Sequence, residues 1–84
     1  MSTQERRSRF DHLLGHHFGI PVHSLLGHQM LMADLAADSL DTAEIWSELE
    51  AEFDINLPTP ESHDVTLDTL FGVVETAVTQ KGVP

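Results

Sequence analysis

The sequence predicts a small all-α domain, a four-helix bundle with a long first loop and a short third helix. Apolar residues recur at three- and four-residue spacing in three stretches, helix-capping residues precede two of them, and no convincing strand pattern occurs. The 84 residues suffice for one domain, which we expect to cover residues 1–84. Residues 1–8 are expected to be a frayed terminus or a first helical turn, and residues 82–84 a tail.

The first helix is predicted at residues 5–18 and is expected to end at Gly19-Ile20-Pro21. Its apolar face combines residues at helical spacing: Phe10, Leu13, Leu14 and His17. Residues 20–37 form the long loop, with a short helical turn expected at residues 22–26. The many apolar side chains of this loop indicate that it packs across the helices, and we expect Leu31 and Leu35 to anchor it.

The second helix is predicted at residues 39–53, with Asp38 as its N-cap and Ser39 as its first residue. Its core face contains Thr42, Ile45, Trp46, Leu49 and Phe53. Its outer face contains Leu40, Glu44, Ser47 and Ala51. A short third helix is predicted near residues 60–63, because Pro60 suits a first helical position. The last helix should follow a Thr66 cap and bury Leu67, Leu70, Phe71, Val74 and Val78.

The charge distribution limits the expected partners. The net charge is −10, and the chain carries eleven acids and no Lys or Arg between Asp34 and Asp68. Nucleic acid is therefore not an expected partner, whereas basic protein surfaces are. The chain has no cysteine, no apolar run of the roughly 20 residues that span a membrane, and no signal-like start. We expect a cytoplasmic monomer.

Ser39 is the main candidate for chemistry. The acids Asp38 and Asp41 beside it disfavour a nucleophilic serine but suit one that another protein modifies, and the Gly-x-Ser-x-Gly motif of serine hydrolases is absent. The stretch from Asp34-Leu35 through Asp38-Ser39-Leu40-Asp41-Thr42 resembles the prosthetic-group site of acyl carrier proteins. The resemblance covers residues 9–80 and includes Phe18-Gly19-Ile20 and residues 48–58.

This resemblance implies a bundle of the acyl-carrier type and a non-catalytic protein that is a substrate of other enzymes. A phosphopantetheinyl transferase would attach 4′-phosphopantetheine from coenzyme A to Ser39, between Asp38 and Leu40. Acyl groups would then be carried as thioesters to acyl-loading and acyl-using enzymes of fatty acid, lipid or polyketide biosynthesis. These enzymes would present basic docking patches to Leu40, Asp41, Glu44 and Glu48. An acyl pocket between the second and last helices would be lined by Ile45, Trp46, Leu49, Phe71 and Val74.

One position departs from the pattern of the family, and two other functions stay open. Ala36 stands where the family usually has glycine, so the backbone is restricted just before Ser39. An aminoacyl or peptidyl carrier would accept the same tether, and an acidic docking module would leave Ser39 unmodified. His12 and His16 have helical spacing for a metal pair, but no third motif ligand follows, so no metal site is predicted.

Overall fold

The computed structural model describes residues 2–59 and 64–81, and these residues form three α-helices joined by loops. The helices are α1 (Thr3–Phe18), α2 (Ser39–Phe53) and α3 (Leu67–Lys81). Within the described ranges, the only β-type pairing is an isolated bridge between Met30 and Thr66, so the all-α prediction is confirmed there. None of the described helices is both long and apolar enough to cross a lipid bilayer.

The helix boundaries follow from capping residues. Ser2 Oγ accepts a hydrogen bond from the Glu5 N–H at 3.1 Å, so α1 begins two residues before the predicted start. Thr66 caps α3 as predicted, because its Oγ1 accepts from the Thr69 N–H at 3.0 Å. A short 3-10 turn at Val22–Ser24 matches the turn expected in the first loop. The short helix predicted near residues 60–63 lies outside the described residues.

The apolar faces of the three helices meet in one core. The ring of Phe10 from α1 packs edge-on against Phe71 from α3, with ring centroids 5.3 Å apart. Four of the five residues predicted on the core face of α2 are buried, namely Thr42, Ile45, Leu49 and Phe53, whereas Trp46 is only half-buried. On α3, Val78 was predicted to be buried but is only half-buried, and Ala77 is buried instead. Leu31 joins this core from the long loop, with 1% of its surface exposed.

The four basic residues pair with carboxylates of this chain. Arg6 Nε lies 2.8 Å from Glu75 Oε1 and ties α1 to α3. Arg7, Arg9 and Lys81 lie 2.9, 3.6 and 3.4 Å from carboxylate oxygens of three further acids: Asp68, Glu52 and Asp54 respectively. The positive charge of the chain therefore lies on α1 and at the end of α3, away from the beginning of α2.

Candidate functional site

Ser39 is the first residue of α2 and is exposed. Asp38 Oδ1 accepts from the Asp41 N–H at 2.8 Å, and Asp41 Oδ2 accepts from the Asp38 N–H at 3.2 Å. These two bonds form a capping box, so Asp38 is the N-cap that the sequence predicts. Ser39 is exposed, and within the described residues its side chain makes no hydrogen bond.

The loop before Ser39 is held by two carboxylates. Asp34 Oδ2 accepts from the Met30 N–H at 2.6 Å, which closes a single tight turn. Asp64 accepts from the N–H groups of Met32 at 2.8 Å and Ala33 at 2.9 Å. Because Asp64 lies three residues before Leu67, the first residue of α3, its hydrogen bonds tie the loop that leads to Ser39 to the beginning of that helix.

Asp64 should make the stability of the fold acid-sensitive. Burial alone would raise the pKa of Asp64. Hydrogen bonds from the backbone N–H groups of Met32, Ala33 and Val65 together outweigh this effect, so the pKa of Asp64 lies below its usual value of 3.8. A carboxyl group with a lowered pKa in the folded state stabilises the fold above its unfolded pKa, and this stabilisation is lost as the pH falls through the folded value.

We therefore expect Asp64→Asn to lower the thermal midpoint clearly at pH 6, where the carboxylate is charged in the wild type. The difference from the wild type should shrink as the pH falls below about 3.8. Thermal unfolding over this range measures the effect. Glu5→Gln, an exposed change on α1, is the control. A difference between Asp64→Asn and the wild type that is constant with pH would contradict this role.

Ala36 adopts a left-handed backbone conformation, with φ +61°. For an L-residue with a Cβ this conformation is less stable than the right-handed one by about 1–2 kcal/mol, whereas glycine adopts it without this strain. The conformation turns the chain between the buried residue Ala37 and the half-buried Leu35. Position 36 therefore has alanine where the resemblance implies glycine, although its backbone conformation is one that glycine favours.

Ala36→Gly is expected to raise the free energy of unfolding by about 0.5–1 kcal/mol. This value is the relief of left-handed strain less the larger backbone entropy that glycine has in the unfolded chain. Denaturant unfolding measures it. Ala33→Gly, in the same loop but without a positive φ, is the matched control and should be destabilising. If both variants lost stability equally, the strain at Ala36 would be disproved.

His17 links α1 to the beginning of α2. Its Nε2 lies 3.1 Å from Asp41 Oδ1, and its Nδ1 lies 3.7 Å from Glu48 Oε2. The hydrogen bond from the Asp38 N–H, followed by the contact with His17, lowers the pKa of Asp41. The sequence placed His17 on the apolar face of the first helix, and its side chain is indeed only 10% exposed. Its two carboxylate contacts were not predicted, since Asp41 is 24 residues away in sequence.

The outer face of α2 is exposed and acidic. Leu40 has 65% of its surface exposed, the larger of the two exposed large apolar residues in the described part of the chain. Glu44 and Glu48 are also exposed and Asp41 is half-buried. None of these three acids pairs with an Arg or Lys among the described residues, so the negative charge around Leu40 is available to a partner.

A cavity of about 120 Å³ lies between α2, the long loop and the start of α3. Its lining is mostly apolar and includes Leu31, Met32, Trp46, Val65, Leu70 and Val73. Trp46 donates from its indole Nε1 to the Pro58 carbonyl at 2.8 Å, which holds the ring at the cavity wall.

Of the five residues predicted to line an acyl pocket, Trp46 lies on this cavity. The other four are in the packed core: Ile45, Leu49, Phe71 and Val74. Helical spacing identifies which face is buried but not where packing leaves space. The loop residues Leu31 and Met32 were not predicted as lining residues, although the apolar composition of the loop was a signal that it packs inward.

No protein-family model matches the chain.

Proposed function

We propose that this chain is an acyl carrier protein with a four-helix bundle of that type, which carries 4′-phosphopantetheine on Ser39. The observation that carries the proposal is the exposed Ser39 hydroxyl, without a hydrogen-bond partner among the described residues, at the first position of α2. The thiol of the attached group would supply what a chain without cysteine lacks, a carrier for acyl groups as thioesters.

The attachment is a phosphoryl transfer from coenzyme A. A bond forms between Ser39 Oγ and the phosphorus nearer to pantetheine, and the pyrophosphate bond of coenzyme A breaks, so that adenosine 3′,5′-bisphosphate leaves. In this proposal the hydroxyl proton passes to a base of the transferase, and Asp38 acts as the helix cap through its Oδ1. The chain contributes the acceptor hydroxyl, and the transferase contributes the catalytic groups.

The outer face of α2 is the proposed docking surface, made of Leu40, Asp41, Glu44 and Glu48. Leu40 offers an apolar anchor that a partner pocket would desolvate, and the acids around it would orient a basic partner. Complementary charge mainly raises the association rate and makes it sensitive to salt. This fits a carrier that has to visit several enzymes and leave each of them.

The cavity beside Trp46 is the proposed shelter for the acyl chain. At about 120 Å³ it is slightly smaller than an engineered apolar cavity of about 150 Å³ that binds benzene. We therefore expect a short acyl group such as butyryl to fit without rearrangement of the core, whereas longer chains would require the neighbouring side chains to move.

Trp46 is the only tryptophan and should report on this occupancy. Loading the protein with a butyryl group from butyryl-coenzyme A is expected to shift the Trp46 emission relative to the form carrying the bare prosthetic group. Val73→Phe, which fills the cavity from α3, should abolish the shift. Equal shifts in both proteins would place the acyl chain elsewhere.

Incubation with coenzyme A and a broad-specificity phosphopantetheinyl transferase tests the function itself. Intact-protein mass spectrometry should record a gain of one phosphopantetheinyl group per chain. An unchanged mass for the folded wild type and for Ala36→Gly would contradict the carrier proposal and favour the acidic docking module. Loading by an aminoacyl-activating enzyme, but by no acyl-loading enzyme, would favour the peptidyl carrier.

A further inference from the structure

We propose that His17, Asp41 and Glu44 form a binding site for a zinc ion at the junction of α1 and α2. One ligand atom of each side chain lies within 4.8 Å of the other two. In the described ranges this is the only such group of three or more His, Asp or Glu side chains. The histidine comes from α1 and the acids from α2, so the folded chain brings together residues that are far apart in sequence.

The ligand set suits zinc. Zn²⁺ is commonly bound by histidine nitrogen and carboxylate oxygen at about 2.0–2.2 Å in a tetrahedron, whose ligand atoms are then about 3.3 Å apart. His17 Nε2 and Asp41 Oδ1 are already 3.1 Å apart, close to one edge of such a tetrahedron. Glu44 is exposed and makes no hydrogen bond or ion pair within the described part of the chain, so its side chain is free to rotate toward them.

Two of the three ligands are held in place before a metal arrives. The His17 side chain is 10% exposed and packs edge-on against Phe18, with ring centroids 5.0 Å apart. Its second nitrogen, Nδ1, lies 3.7 Å from Glu48 Oε2, and a carboxylate behind a zinc-bound imidazole is the usual orienting partner. The capping box fixes Asp41, whose Oδ2 accepts from the Asp38 N–H.

A bound zinc would use two carboxylates of the proposed docking surface, Asp41 and Glu44. It would neutralise the charge on which association with a basic partner depends. This consequence depends on the proposed function, whereas the zinc site itself does not. Zinc binding can therefore be measured on the unmodified protein, without any partner.

Titration of zinc chloride into the untagged wild type by isothermal calorimetry at neutral pH tests the site. We expect one zinc ion per chain, and His17→Gln and Glu44→Gln should each weaken binding by about tenfold or more. His12→Gln is the matched control, because this exposed residue lies on the same helix and its Nδ1 contacts the Ser8 carbonyl at 2.7 Å. Ser39→Ala should bind zinc as the wild type does, which separates this test from that of the carrier function.

Circular dichroism of each variant would verify that the helices remain folded. Binding that survives in folded His17→Gln, or that is lost in His12→Gln instead, would overturn the proposal. No heat of binding with the folded wild type would overturn it as well.

Discussion

Replacing Ser39 by alanine is expected to abolish attachment of phosphopantetheine completely and to leave the fold intact. The hydroxyl is the only acceptor atom in the proposed reaction, and it makes no hydrogen bond within the described residues. The helix keeps its cap, because Asp38 and Asp41 supply both bonds of the capping box. Intact mass after incubation with the transferase, together with thermal unfolding, measures both halves of this expectation.

Ser47→Ala is the matched control for this experiment. Ser47 is also an exposed serine of α2, two turns further along, and it should be dispensable for modification. Attachment to folded Ser39→Ala would show that another residue is the acceptor. A large loss of stability in Ser39→Ala would instead show that the hydroxyl has a structural role.

Leu31→Ala is expected to have the largest effect on stability, with a loss of about 2–5 kcal/mol. The Leu31 side chain is almost fully buried, and its N–H donates to the Val65 carbonyl at 2.9 Å, so truncation leaves a hole that the tied loop cannot close. A domain of this length has only about 4–13 kcal/mol of total stability. Denaturant unfolding should therefore show the midpoint shifted strongly to a lower denaturant concentration.

Leu35→Ala provides the comparison for Leu31. Leu35 was predicted as the second anchor, but it is only half-buried, so its truncation should cost about 1 kcal/mol. Equal losses for the two variants would mean that the loop is held by both leucines alike. A loss below about 1 kcal/mol for Leu31→Ala would contradict its role as the anchor.

The placement of Ser39 could be predicted from the sequence because capping is local. Asp38 and Asp41 lie within three residues of each other, and the apolar spacing from Thr42 to Phe53 defines the buried face of α2. The left-handed backbone at Ala36 also had a local signal, since glycine is what the resemblance leads one to expect there. Such short-range patterns carry enough information to position a helix and its first residues.

The contacts that support the site could not be predicted, because they join distant parts of the chain. His17 meets Asp41 across 24 residues, and Asp64 binds the Met32 N–H across 32. The position of His17 on an apolar face, or of Asp64 just before a helix, does not indicate which distant residue it contacts. The cavity depends on the small mismatch between packed surfaces, which residue spacing along one helix does not determine.

The proposed attachment of the prosthetic group to Ser39 can be tested in the cell that makes this protein. The measurement is tandem mass spectrometry of the peptide containing Ser39, from protein isolated from its native cells. We expect a phosphopantetheinyl group on Ser39, released in fragmentation as its pantetheine part. An unmodified Ser39 throughout the isolated population would show that this protein is not a phosphopantetheine carrier.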